Sequence, residues 1–538
     1  RQMCIRDRLW TDSRYFLQAA EQLEGTGITL MKEGLPDTPS ITAYLVSRLI
    51  KGQTVGIDGL LFPASQVAQL RAALQRHGLK LDTNFAPVDA IWSDRPSLPA
   101  CPAFIHEDKY AGRSAVEKIA RILDEVKLQG AGSLLVSDLA EVAWTLNIRS
   151  RDVNCNPVAY AFLYLSPEGN TLFIKEEKIT PEVADALAAA NVSVAPYDSV
   201  IPFLSSLPAS ATVLYEGARV AARLVDALGD RAVAGASPIP LLKAVKNSTQ
   251  IAGIRNAMEK DGAALVGAFM EIERRLREGE GLTELAVADI LTEYRSKQDL
   301  YFDESFETIA GYGPHGAIVH YSATPETSSD IHPQGLLLID SGAQYLDGTT
   351  DITRTIALGT PTDRERHDFT LVMKGHIALA TAIYPEGTRG DQLDCLAHQF
   401  LWKEGLNYLH GTGHGVGHFL NVHEGPQSIR LNTVPVTLRP GMLTSNEPGL
   451  YITGMHGIRC ENLVLTVDAF TTEFGHFYRF EPMTLFPWDL SLFDTNLMTQ
   501  EEINWVNGYH KMVYDRLSPR LDAAQKAWLA EKTKELKK

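Results

Sequence analysis

Five side chains in the C-terminal half, Asp340, Asp351, His414, Glu447 and Glu461, have the types and the settings of a metal centre. An apolar run from Leu336 to Ile339 ends on Asp340, a turn containing Gly342, Asp347 and Gly348 follows, and a second run carries Asp351 into Ile352 and Thr353. That is a β-hairpin signature. An unpaired carboxylate at the end of an apolar strand costs on the order of several kcal/mol to bury, so it needs a compensating positive charge, and a metal is the compact solution. Alone, either aspartate reads as readily as a solvated hairpin end. The rest of the half argues otherwise: His410-Gly411-Thr412-Gly413-His414, Val422-His423-Glu424-Gly425-Pro426, Ser445-Asn446-Glu447-Pro448 and Gly457-Ile458-Arg459-Cys460-Glu461 each set an acid or imidazole beside β-like sequence or a Gly-rich bend.

Taken together, four carboxylates and one neutral imidazole carry about four negative charges, enough for two divalent cations with positions left for water. Mostly oxygen ligands favour a hard first-row ion such as Mn²⁺, with Co²⁺ or Zn²⁺ as substitutes in vitro. Two cations about 3.5–4 Å apart would hold a bridging hydroxide, because metal binding lowers the pKa of water from about 15.7 to about 7. The expected chemistry is hydrolysis at neutral pH.

The elements that must position these residues follow from the order of the chain. With 538 residues, more than one hydrophobic core is expected. Residues 9 to about 100 alternate helix and strand patterns up to a Pro-rich break at Asp94–Pro102. A second α/β block runs to Ser237-Pro238-Ile239-Pro240, and neither block carries a phosphate-cradling glycine loop. From Asn247 the pattern changes: Ser248 is positioned to cap a helix with Ile251, Ile254, Met258, Leu265, Phe269, Ile272 and Leu276 on one stripe, and Thr283 begins a second helix. Strands are expected near Thr308–Ala310 and Ile318–His320, then the Asp340/Asp351 hairpin; helices over Arg366–Ala380 and Asp391–Leu401 precede strands bearing Glu447 and Glu461, and Glu501–Leu517 and Ala523–Leu536 read as closing helices. Helices followed by strands with two carboxylates, twice over, suggest a pseudo-twofold αβ repeat closing on one site.

Composition excludes several classes of function. Charged and apolar contents of 22% and 45% are ordinary for a globular chain. A net charge of −16 without a basic run outside the extreme C-terminus argues against a nucleic-acid surface. No apolar stretch approaches the roughly 18 residues that span a bilayer. Five widely spaced cysteines without a CxxC pair fit a reducing, cytoplasmic setting. Arg1 to Arg8 read as non-native sequence, so a signal peptide is not testable from this start.

With these motifs assembled, the chain resembles the Xaa-Pro aminopeptidase (aminopeptidase P) family, cytosolic-type metallopeptidases of family M24 with the pita-bread fold. The resemblance covers nearly the whole chain. It rests on Trp10-Thr11-Asp12-Ser13-Arg14-Tyr15-Phe16, Asn156-Pro157-Val158, Asp340-Ser341-Gly342-Ala343-Gln344-Tyr345, Thr353-Arg354-Thr355, the His410–Gly417 segment and Phe419-Leu420-Asn421-Val422-His423-Glu424-Gly425-Pro426. It implies an α/β (α+β) fold: an incomplete creatinase-like domain over 1–100, a related one over 101–245, and a pita-bread catalytic domain over 246–538 with a helical extension from about 485.

The same resemblance makes Asp340, Asp351, His414, Glu447 and Glu461 the metal ligands, with Asp351 and Glu461 bridging two divalent ions, Mn²⁺ foremost. His320, His410 and His423 are implied as the substrate-contacting histidines, Glu447 doubles as proton shuttle, and Arg14, Tyr451 and Arg459 contact substrate or support the ligands. Cys460 is read as core packing and His418 as an ordinary histidine. The implied reaction is hydrolysis of the bond between an N-terminal residue and a following proline in small peptides, by a homodimer in the cytoplasm. A prolidase-like dipeptidase, a metal-free creatinase-like hydrolase and a catalytically silent peptide-binding protein are the alternatives. The three-domain layout argues against the first of these, and the intact five-residue set against the other two.

Overall fold

The computed structural model describes residues 8–86, 88 and 91–538; the segment read as non-native lies outside these but for Arg8, which begins the strand Arg8–Thr11. The chain forms two compact units, one of residues through Asp12 with Leu23–Lys243, the other of Ser13–Gln22 with Ala244–Lys538.

The first unit opens with two short parallel pairs, Arg8–Thr11 beside Thr29–Lys32 and Thr54–Gly56 beside Lys80–Asp82. Its main sheet has six strands in the order Val192–Ala195, Asn170–Ile174, Ala161–Leu165, Ser133–Val136, Val213–Tyr215, Ala232–Ala234. Helix Ala115–Leu128 starts at a reciprocal cap between Ser114 and Glu117 and buries Ile119, Ile122 and Val126, its i, i+3, i+7 face. The strand Ala161–Leu165 begins just after Tyr160, whose N–H is taken by the Asp152 carboxylate at 2.8 Å and leaves the ladder.

In the second unit, helix Ser248–Glu278 follows the stripe read from the sequence: Ile254, Met258, Leu265, Phe269 and Ile272 are all buried. Its cap is Asn247 rather than Ser248, since Asn247 and Gln250 exchange side-chain to backbone bonds. The chain then builds a three-stranded antiparallel sheet, Ile309–Tyr312, Leu336–Ser341 and Ile352–Ala357, in which Asp340 pairs with Thr353. A four-stranded sheet follows: Ile383–Pro385, Gly475–Pro482, Asn462–Thr472 and Leu443–Asn446, with Asn446 opposite Asn462. The hairpin Gly449–Ile452/His456–Arg459 and helices Asp363–Ala380 and Asp394–Trp402 complete the layer. Both sheets and the long helix share one core, which runs on to Trp488, Val506 and Val513 of the C-terminal extension.

Two expected elements differ. Residues 318–320 form a turn, not a strand: the Ile318 N–H bonds to the His315 carbonyl and the Tyr321 N–H to the Ile318 carbonyl, both at 3.0 Å. The turn just before it, Gly313–Ala317, is pressed onto the strand His456–Arg459 so closely that a Cβ on Gly457 would lie 1.6 Å from the Gly316 carbonyl oxygen. The final helix stops at Lys532 rather than Leu536, whose backbone is instead held by the Asn507 side chain at 2.7 and 3.0 Å.

Helices Asp363–Ala380 and Asp394–Trp402 meet at Gly375, where a Cβ would lie 2.2 Å from the Ala397 carbonyl oxygen. Gly375→Ala should therefore force the pair apart and cost about 1–3 kcal/mol, read as a lower urea midpoint.

Candidate metal centre

The sheet register, not the chain order, assembles the carboxylates. Asp340 ends one strand, and Asp351 immediately precedes the strand paired with it. Glu447 follows Leu443–Asn446, and Glu461 stands just before its partner Asn462–Thr472. His414 arrives on the short pair Gly413–His414/Ser428–Ile429, tied in by its N–H to Ser445 Oγ at 2.9 Å.

One atom each of Asp351, His414 and Glu461 lies within 4.8 Å of the others. His414 Nε2 is 3.5 Å from Asp351 Oδ2 and 3.3 Å from Glu447 Oε1. His414 Nδ1 faces the Gly415 carbonyl at 3.0 Å; the carbonyl only accepts, so Nδ1 holds a proton and Nε2 is the nitrogen that could ligate a cation. Asp340 Oδ2 accepts from Arg459 Nη2 at 2.5 Å, while Thr353 Oγ1 donates to Glu461 Oε2 at 2.7 Å and Ser445 Oγ to Glu447 Oε1 at 2.9 Å. Asp340, Glu447 and Glu461 are thus each fixed through one oxygen.

The remaining oxygens test whether cations fit. Asp340 Oδ1 and Glu461 Oε1 are buried and accept no hydrogen bond among the described residues. Buried acceptors left unpaired are costly, and hard divalent cations would satisfy them. The charge balance says the same. Burial pushes Asp351 up to about 6 and Glu447 up to about 7. Burial, with the neighbouring Asp351 and Glu447, lifts Glu461 well above the ordinary carboxylate range. Burial opposes the charging of His414, but Asp351 and Glu447 outweigh it and hold the imidazole up at about 9. Without cations the centre keeps protons it would otherwise lose; the residues present fit a pair of divalent ions.

A second set of groups lines the centre. Arg459 Nη1 donates to the Tyr451 hydroxyl at 2.8 Å, Tyr451 donates to His410 Nε2 at 2.8 Å, and His410 Nδ1 donates to the Gly411 carbonyl at 2.8 Å. This chain runs from a carboxylate to an imidazole without a break. Burial, then Arg459, lowers His410 to about 3, so it stays neutral. His423 stands edge-on to His414 with ring centroids 4.2 Å apart, and the His414 charge, then burial, lowers it to about 3. His320 reaches the Tyr15 hydroxyl at 3.0 Å through Nδ1. Arg14, beside Tyr15, contributes to the field at His423. Cys460 is fully buried in the core. His418 is buried apart from the ligand set.

Sequence reading gave no role to Tyr15, Thr353, Arg354, His376 or Ser445. Tyr15, Thr353, Arg354 and Ser445 lie inside motif segments, so adjacency to a ligand was the available signal. For His376 there was none, because it sits mid-helix among ordinary helical residues. A separate cavity of about 370 Å³, lined by Phe269, Leu276, Trp488 and Trp528 among others, contains none of the candidate residues.

Comparison with known proteins agrees with this geometry. Residues 252–468 match metallopeptidase family M24, residues 94–250 the creatinase/prolidase N-terminal domain, and residues 476–536 the C-terminal region of peptidase M24. The chain is 40% identical to aminopeptidase P2 of Arabidopsis thaliana, over 98% of this chain and 80% of that one. It is also 40% identical to a probable Xaa-Pro aminopeptidase P of Coprinopsis cinerea, over 98% and 88%. Among solved structures it is similar to X-prolyl aminopeptidase of Caenorhabditis elegans, described as a cytosolic enzyme with a di-nuclear active site. The TM-score is 0.94 at 34% identity, covering 98% of this chain and 88% of that one.

Because His414 and the raised carboxyls hold protons when no cation is present, ion uptake must expel them. At pH 7, titration with Mn²⁺ should release more than one proton per chain, measured calorimetrically in buffers of different ionisation enthalpy. Affinity should fall as pH drops below about 9, where His414 takes up its proton, and more steeply through about 7 and 6, where Glu447 and Asp351 take up theirs.

Proposed function

The chain belongs to the Xaa-Pro aminopeptidase group of metallopeptidase family M24, which makes it an aminopeptidase by family, and we propose that it removes the N-terminal residue from small peptides with proline in second position. The observation that carries the reading is the convergence of Asp351, His414 and Glu461, with unpaired oxygens of Asp340 and Glu461 beside them, in a chain similar to aminopeptidases P over 98% of its length. Asp340, Asp351, His414, Glu447 and Glu461 are proposed as the ligands of two divalent cations. Bound there, the cations supply the positive charge that acidifies a water for attack and accepts the substrate's free amine.

The chain's own residues do the rest. Glu447, whose Oε1 accepts from Ser445 Oγ at 2.9 Å, takes the proton given up by the attacking water and returns it to the departing proline nitrogen. His423, held neutral, and His320 are the candidates for holding the scissile carbonyl, where a donor that strengthens as negative charge develops lowers the barrier. His410, held neutral and oriented by Tyr451, forms a wall near the centre, and Arg459 steadies Asp340. Proline suits such a site because its amide nitrogen has no N–H, so recognition must come from the amine and the ring rather than from a strand-like backbone grip. Arg14 is proposed to meet the peptide beyond the scissile bond.

The finer parts of this reading are Mn²⁺ as the working ion, a homodimer as the working species, and a cytoplasmic setting. The oxygen-rich donor set supports the first, and the cytosolic description of the worm enzyme supports the last. Among the described residues no helix is long and apolar enough to cross a membrane. The division into parts at 1–100, 101–245 and 246–538 belongs to the same proposal, supported by the extents of the family matches.

Metal-stripped protein should release arginine from Arg-Pro-Pro only after Mn²⁺ is added, and should leave Arg-Ala-Ala intact. Cleavage of Arg-Pro alone would select the dipeptidase reading. Ion uptake without cleavage of any of the three would select the peptide-binding reading. His423→Ala should lower kcat about 10²- to 10³-fold while the protein still binds two ions.

A further inference from the structure

His376 lies on helix Asp363–Ala380, is fully buried, and belongs to none of the motifs above. Its Nδ1 faces two carbonyl oxygens, Asn446 at 3.1 Å and Cys460 at 3.2 Å. Both atoms only accept, so Nδ1 carries the proton and shares it between them. The two acceptors belong to the peptide groups that lead directly into Glu447 and Glu461. The contact is reciprocal, because the Asn446 side chain donates to the His376 carbonyl at 2.9 Å. Each peptide is gripped from its other side as well: the Glu447 N–H bonds to the Thr412 carbonyl at 2.8 Å, and the Glu461 N–H to the Thr353 carbonyl at 3.3 Å. One imidazole N–H thereby ties together the backbones of two carboxylates that the chain places fourteen residues apart.

The ring is itself held in place. It stands edge-on to Trp488, with centroids 5.0 Å apart, and to Trp505 at 5.8 Å, both from the C-terminal extension. Trp488 also stacks under the Arg354 guanidinium at 3.5 Å, and Arg354 donates to the Glu461 carbonyl at 2.5 Å. The extension thus reaches the Glu461 segment by two routes, and both pass over Trp488.

We propose that His376 is a positioning residue for the metal centre: its single Nδ1–H sets the spacing of Glu447 and Glu461, and the Trp488 platform sets His376. The inference rests on the two-ion reading above. Orienting groups behind metal ligands typically change affinity by about 10- to 100-fold when removed.

The test compares ion binding to the metal-stripped parent, His376→Phe and His376→Asn by competition with a chelator, alongside the melting temperature of each metal-free protein. Phe fills the space without a donor; Asn restores an N–H close to where Nδ1 stood. The expected result is weakening of at least one Mn²⁺ site by about 10-fold or more in His376→Phe, with most of the affinity recovered in His376→Asn. A purely structural role would lower both metal-free melting temperatures and leave ion affinity within twofold of the parent, and that result overturns the proposal. Equal weakening in both variants overturns it too. A parent that takes up no ion overturns the two-ion reading along with it, whereas a parent that binds two ions and cleaves nothing leaves this test intact. Should neither variant fold, ¹⁵N-histidine labelling of the parent decides: the Nδ1 resonance of His376 should shift on Mg²⁺ loading, and an unmoved resonance counts against the proposal.

Discussion

Four carboxylates drawn into one buried centre repel one another, and the catalytic unit is built around that constraint. Of these carboxylates Arg459 pairs with Asp340, and the raised carboxyls of Asp351, Glu447 and Glu461 show how much negative charge is left over. Such a cluster persists in a folded protein when its walls hold it against the repulsion and cations neutralise what remains. Here the walls are short hydrogen bonds from Thr353, Ser445 and Arg459, each to one oxygen, leaving the others facing inward. In Asp340 and Glu461 one oxygen is held by the protein and the other is left without a hydrogen bond, an arrangement suited to a cation.

The same constraint accounts for the histidines. Two of the imidazoles nearest the centre, His410 and His423, are held neutral by burial and by adjacent positive charge, whereas His414 is held charged until an ion displaces its proton. Neutral imidazoles beside a cationic centre can donate to a developing oxyanion without adding charge that would compete with the metals. The Asp340–Arg459–Tyr451–His410 chain couples the ligand shell to the surface a substrate would meet. A change at Arg459 would therefore reach both Asp340 and Tyr451, since one guanidinium holds both.

Behind the centre, ordinary packing supplies rigidity. Arg354 is fully buried yet surrounded by acceptors from Thr353, Glu461, Asn462 and Phe486, and it lies flat on Trp488. The close approaches at Gly375, Gly413 and Gly457 bring backbone against backbone where any side chain would intervene. Gly413 is the clearest case: a Cβ there would sit 2.0 Å from the Ser445 carbonyl oxygen, separating the His414 strand from the Glu447 strand. Gly-rich segments around the ligands are thus a packing requirement as much as a conformational one.

Much was legible in the amino-acid order. The apolar stripe of the long helix, the strands ending on Asp340 and leading from Asp351, the α/β character of the N-terminal blocks and the set of acids and imidazoles suited to two cations all follow from local periodicity and side-chain chemistry. Local pattern also misread residues 318–320 as a strand and took the last helix to Leu536, because backbone contacts with Gly457 and Asn507, distant in sequence, override propensity there. Only the tertiary structure decided which oxygen of each carboxylate is used by the protein, which imidazoles stay neutral, and that His376, unremarkable in its helix, stands behind both Glu447 and Glu461. The physical reason is common to all three. Desolvation and hydrogen-bond geometry depend on groups tens or hundreds of residues apart, and a sequence names those groups without stating which of them meet.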